Sequence, residues 1–168
     1  MIYARNGLRQ KLAKEPKQHN AIIIAEYTQQ VDDMFDNCKD HTLLLFWDII
    51  NPFSGIAPKI HHVEKALEWA DDKENLLVAC AAGISRSSAI AYLTTYNETK
   101  SIETALSKLD LTVHRPNILI LMYGDKILGT DVSSAVANAV ALEHKDRPDD
   151  DLYIYLENWD NIKKLKLV

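Results

Sequence analysis

The sequence predicts an α/β domain whose central sheet is mainly parallel and flanked by helices. Three observations predict it. Residues 21–25, 43–47 and 76–79 are short apolar runs of strand length. The segments between and after them carry helical periodicity. The third run ends in a small-residue loop that opens a helix, the kind of strand-end connection at which α/β sheets bind ligands.

Each element has its own justification. Residues 21–25 (Ala-Ile-Ile-Ile-Ala) read as a buried strand, and 27–37 as a helix with Val31, Met34 and Phe35 inward. Residues 43–47 (Leu-Leu-Leu-Phe-Trp) read as a second core strand closed by Asp48. Asn51-Pro52 and Ser54-Gly55 then punctuate a loop, and Pro58 suits the first turn of a helix over 58–70 with Val63, Ala66, Leu67 and Ala70 as its stripe. After the polar stretch 71–75 comes the third strand, 76–79, and a helical pattern over 87–96. Ser101 is a good N-cap for 102–109. Pro116 starts an apolar helix through Leu128, with Gly129 as its stop, and Asp131 or Ser133 opens a helix at 135–143. Residues 146–151 are acidic, carry a proline and read as a linker. In the tail, 152–168, the alternation of Leu152, Ile154 and Leu156 hints at a strand, with Tyr153, Tyr155 and Trp159 as packing residues.

Composition bounds the function. A chain of 168 residues is most simply one domain, with 146–168 as a C-terminal extension. A net charge of −5 argues against a broad nucleic-acid surface. No apolar run approaches the ~20 residues that span a bilayer, and the N-terminus lacks the basic-then-apolar pattern of a secretory signal. A cytoplasmic setting is expected, because a reactive thiol suits a reducing compartment. Of the two cysteines, Cys38 reads as structural; were it close to Cys80, reversible oxidation would protect that thiol.

Chemistry concentrates in one run. Cys80 ends the third strand, Ala81-Ala82-Gly83-Ile84-Ser85 form a loop of five residues, and Arg86-Ser87 open the following helix. Five residues let the backbone curl once, so that successive N–H groups form an anion nest. The helix aims its positive end at the same point. Gly83 permits a positive φ or a close backbone approach. In that setting Cys80 is the nucleophile. Arg86 carries a planar fork for two phosphoryl oxygens. Ser87 is placed to donate to the sulfur when it leaves, and Ser85 is a loop partner. Asp48, at the end of a neighbouring strand, is the candidate acid for the departing oxygen. No metal-ligand cluster is visible, and neither metal nor cofactor is expected.

The run resembles the signature of the cysteine-dependent protein tyrosine phosphatases, His-Cys-x5-Arg-Ser/Thr, in its dual-specificity-like branch. Ala82-Gly83-Ile84-Ser85-Arg86-Ser87 carries the likeness, supported by Ala91-Tyr92-Leu93, by Phe46-Trp47-Asp48-Ile49 with Pro52, Gly55 and Pro58, and by Arg115-Pro116-Asn117 with Leu128-Gly129. It spans residues 43–128 and looks closest to small predicted bacterial tyrosine phosphatases. The resemblance implies a phosphotyrosine protein phosphatase II-like fold with a four- to five-stranded sheet, a phosphocysteine intermediate, and Asp48, 32 residues before Cys80, as general acid. It implies a phosphorylated protein or small phosphate ester as partner; neither nucleic acid nor membrane is expected, on the charge and apolar-run grounds given above. Ala79 stands where the family has His, which opens the alternative of a phosphate-binding pseudophosphatase. His61 and His62 are secondary candidates for a supporting role near the acid, and Arg115, expected to be structural, for a phosphate contact.

Overall fold

The computed structural model describes residues 1–146 and 150–165. The chain forms β1 (Ile2–Ala4), α1 (Arg5–Lys14), β2 (Asn20–Ala25), a 3-10 turn (Thr28–Gln30), α2 (Asp32–Phe35), β3 (Asp40–Leu45), α3 (Ile60–Ala70) and β4 (Leu76–Cys80). Five helices follow: α4 (Arg86–Thr99), α5 (Ile102–Leu106), α6 (Ile118–Leu128), α7 (Val132–Glu143) and α8 (Asp150–Lys164). The fold is α/β, with a four-stranded sheet in the order β1-β4-β2-β3 flanked by helices. Every pairing is parallel, with Ala4 opposite Cys80, Ile23 opposite Ala79 and Ala25 opposite Leu45.

A parallel sheet covered on both faces needs strands that are apolar on both sides, which is why β2 reads as an unbroken run. Its residues divide by the period of two. Ile22 and Ile24 join Leu44, Phe46, Val78 and Cys80 in the larger core, with Ile90, Tyr92 and Leu93 of α4 and Leu119 of α6. Ala21, Ile23 and Ala25 join Leu77 and Ala79 against Leu8 and Leu12 of α1 and Met34 of α2. Cys80 therefore faces α4, while Ala79 faces α1. Gly124 lets α6 close on α4, since a Cβ there would overlap the Leu93 side chain.

Several expectations are corrected. β1 and α1 went unread because one is three residues long and the other buries only Leu8 and Leu12. The helix expected over 27–37 is broken: Tyr27 and Val31 both have φ near −142°, leaving a 3-10 turn and the short α2. The helix expected from Pro58 starts at Ile60, with Lys59 at its N-cap. The apolar helix expected from Pro116 starts at Ile118, with Asn117 as its N-cap, its side chain accepting from Ile120 N–H at 3.2 Å. The tail is a helix rather than a strand. Leu152, Tyr155 and Ile162 are buried while Ile154 is exposed, so the helical period overrides the alternation. Asp150 and Asp151 in the first turn and Lys163 and Lys164 in the last suit the helix dipole. The linker expected over 146–151 falls partly on residues 147–149, outside the described residues, and its last two residues belong to α8.

Candidate active site

β4 delivers Cys80 to the C-terminal edge of the sheet, 2% exposed. The loop then turns over the end of β1. Gly83 has φ +76°, and a Cβ on it would lie 2.6 Å from Ala4 N and 2.8 Å from the Tyr3 carbonyl carbon, so both conformation and space require glycine. The loop's carbonyls are engaged from outside. Ala81 O accepts from Arg5 N–H at 3.3 Å, Ile84 O from Arg115 N–H at 3.2 Å and Ser85 O from Asn117 N–H at 3.1 Å. The Ser88 hydroxyl donates to the carbonyls of Ile84 and Ser85, at 2.5 and 2.9 Å. Among the described residues, the N–H groups of Gly83, Ile84 and Ser85 donate to no backbone carbonyl. Ser85 sits at the N-cap of α4 yet does not cap it, because its hydroxyl donates to Asp48 Oδ1 at 2.8 Å. The first turn of α4 keeps its amides open, the arrangement that favours an anion.

Arg86 is 3% exposed. Its Nη1 donates to Phe46 O at 3.0 Å and pairs with Glu26 Oε1 at 2.6 Å. Its Nε is buried without a hydrogen-bond partner, 3.9 Å from Asp48 Oδ2. One edge of the guanidinium is thus anchored, and the other has a donor to spare. Burial of Glu26 works against its charge, but Arg86, by charge and hydrogen bond, and Arg5 outweigh it and hold the carboxyl below the usual carboxylate range. Ser87 is fully buried, with Oγ 3.1 Å from Cys80 Sγ.

Asp48 leaves the end of β3 and is exposed. Its Oδ1 also accepts from Asn117 Nδ2 at 2.8 Å. The loop that follows is pinned by Lys59, whose Nζ donates to Pro52 O and Ser54 O, both at 2.8 Å. His62 lies behind this loop, its ring 4.9 Å from that of Phe46 and its Nδ1 accepting from Lys59 N–H at 3.0 Å. Burial first, then the neighbouring His61, Lys65 and Lys59, push its pKa down to about 4, so it is a neutral packing group. Arg115 spends its guanidinium on Leu111 O and His114 O, with His144 Nε2 at 2.8 Å. Only its backbone touches the loop. Cys38 packs on the α1 face of the sheet, opposite to Cys80, so the protective pairing considered from the sequence is lost. Burial pushes the Cys38 thiol up to about 11.

The structure therefore gathers Cys80, residues 81–85, Arg86, Ser87 and Asp48 at one sheet edge. It adds two residues that the sequence did not single out as site residues. Glu26 had no signal beyond its place after a buried strand; Asn117 stood in the Arg115-Pro116-Asn117 segment of the family resemblance, before an apolar helix, without a role assigned to it. A cavity of about 900 Å³ opens at the other end of β4, lined by Leu76, Thr94, Lys108 and His114, and does not include Cys80.

No protein-family model matches the chain, and no curated protein matches it. Among solved structures it is similar to the one described as the crystal structure of Tk-PTP in the active form. The identity is 13% and the TM-score 0.39, over 83% of this chain and 86% of that one. A likeness that loose carries no weight for chemistry; the geometry of the site must carry it.

Proposed function

We propose that the chain is a phosphomonoester hydrolase of the cysteine-dependent tyrosine or dual-specificity phosphatase kind, working through a phosphocysteine. The observation that carries this reading is the buried, unpartnered Nε of Arg86, on a guanidinium whose other edge is anchored to Glu26 and Phe46 O. A buried donor without an acceptor is costly, and an oxyanion beside the open loop amides would satisfy it.

The residues divide the work. The Cys80 sulfur attacks phosphorus, and the bond to the ester oxygen breaks. Arg86 and the amides of 81–86 hold the equatorial oxygens. Asp48 protonates the leaving oxygen. Its Oδ1 is committed to Ser85 and Asn117, which leaves Oδ2, on the Arg86 side, to carry the proton. Water then displaces the sulfur with Asp48 as base, while Ser87 donates to the departing thiolate. The loop side chains are uncharged, which favours a simple ester, protein phosphotyrosine first and small non-protein phosphate esters second. A free reactive thiol fits a reducing compartment such as the cytoplasm.

A second reading, a phosphate binder without turnover, rests on Ala79. That position is buried against α1 among Leu8, Leu12 and Leu77, away from the thiol's face. Hydrolysis of para-nitrophenyl phosphate by the wild-type protein, and its loss in Cys80→Ser, supports the enzyme. Tungstate binding without hydrolysis supports the binder.

A further inference from the structure

We propose that Arg5 is a positioning residue for the oxyanion site: acting through Glu26, it holds the Arg86 guanidinium with its Nε edge toward the Cys80 loop. The inference rests on reading that loop as a phosphate cradle.

Topology supplies the first argument. β1 and β2 flank β4, Arg5 directly follows β1, and Glu26 directly follows β2. The pair between Arg5 Nη2 and Glu26 Oε2, 3.1 Å, therefore straddles the end of β4 where Cys80 enters the loop. Arg5 grips the same loop from its backbone, through N–H to Ala81 O. One residue ties the loop's first carbonyl to the carboxylate that anchors the loop's arginine.

The second argument is geometric. Glu26 uses separate oxygens, Oε2 for Arg5 and Oε1 for Arg86. A carboxylate held from one side keeps its side-chain torsions; held from both sides it becomes a fixed acceptor. Solvent does little to replace either contact, since the three side chains are 18%, 14% and 4% exposed along the row Arg5, Glu26, Arg86. With Arg5 on its other oxygen, the Glu26 carboxylate is shared between two guanidinium groups, so it does not by itself neutralise Arg86 beside the cradle. The Nε atoms of both arginines are buried without a hydrogen-bond partner, so the Arg5 fork is held through Glu26, and the Arg86 fork through Glu26 together with Phe46 O.

The experiment measures tungstate affinity by calorimetry on a Cys80→Ser background, which needs no turnover. To that background are added Arg5→Met, Arg5→Lys, Glu26→Gln and the Arg5→Met/Glu26→Gln double variant, with melting temperature recorded for each. Arg5→Met and Glu26→Gln should each weaken tungstate by about tenfold, and the double variant by no more than the worse single, because both act on one contact. Arg5→Lys keeps the charge, stands in if Arg5→Met fails to fold, and should recover part of the loss. In the wild-type background Arg5→Met should raise KM for para-nitrophenyl phosphate more than it lowers kcat. Wild-type affinity in both Arg5 variants, or additive losses in the double variant, overturns the proposal. Hydrolysis by the wild type with Arg5 variants unchanged removes the Arg5 role alone. Tungstate binding that depends on Arg5, without any hydrolysis, removes the enzyme and keeps the relay. Absence of tungstate binding in the starting protein overturns both.

Discussion

The two sides of the site are built on different foundations. Cys80, Arg86 and Ser87 belong to β4 and α4, are almost fully buried, and are fixed by regular structure. Asp48 stands exposed at the head of a loop and is tied to the cradle by hydrogen bonds from Ser85 and Asn117, with Arg86 Nε 3.9 Å from its second oxygen. In the proposed mechanism Cys80 and Arg86, as nucleophile and clamp, need fixed electrostatics before the substrate arrives. The proposed acid, Asp48, would meet a leaving group that differs from one substrate to the next, and a loop tethered by hydrogen bonds suits that task better than a strand.

Substitutions can break or sharpen the contrast. Cys80→Ser should remove at least about 10³-fold of kcat toward any ester, because the proposed covalent intermediate forms on the Cys80 sulfur. Residual turnover near wild type would end the mechanism. Asp48→Asn should cost about 10²-fold or more on phenyl phosphate, and clearly less on an ester with a good leaving group. Equal losses on both esters would mean that Asp48 only shapes the loop. Glu26→Gln should act on the buried side, weakening kcat/KM by about tenfold whatever the leaving group.

Glu26→Gln has a pH signature as well. Its folded pKa lies below the unfolded value of about 4.3. The Glu26 charge therefore contributes stability above about pH 5, and that contribution is lost as pH falls through the depressed folded value. Melting temperature against pH should fall more steeply on the acid side in the wild type than in Glu26→Gln, and parallel curves would refute the pairing. The smallest effect belongs to Asn117→Ser, which keeps an N-cap for α6 but removes the donor to Asp48. It should lower activity about threefold, and only where the leaving group is poor. A loss independent of leaving group would mean that the Asn117 side chain acts on the placement of the loop rather than on proton transfer by Asp48.

How much was legible follows from where each residue lies in the chain. The cradle is contiguous, so strand, loop, arginine and helix start can be read in one pass over residues 76–88. β2 and β4 announce themselves because a parallel strand buried on both faces is apolar throughout, whereas β3, at the sheet edge, starts with Asp40-His41-Thr42 and shows only through its last residues, 43–45. Glu26 and Asn117 lie 60 and 31 residues from Arg86; Glu26 carries no local mark and Asn117 only the resemblance of Arg115-Pro116-Asn117, because ion pairs and hydrogen bonds between distant segments leave no periodic trace. In the tail, Leu152, Ile154 and Leu156 satisfy a period of two while Leu152, Tyr155, Trp159 and Ile162 satisfy the helical one. Packing against α6 and α7, with the Tyr155 hydroxyl donating to Pro116 O at 3.0 Å, selects the helix.

The linear order of residues settled, unaided, that an α/β sheet would carry a thiol, a glycine and an arginine at a strand-to-helix junction, because conformation there depends on neighbours a few positions away. Folding alone decided which carboxylate holds that arginine, that Arg5 reaches across the end of β4, and that Ala79 and Cys38 turn from the thiol. Those outcomes depend on strand order and on which face a side chain occupies, and both arise only when distant segments pair.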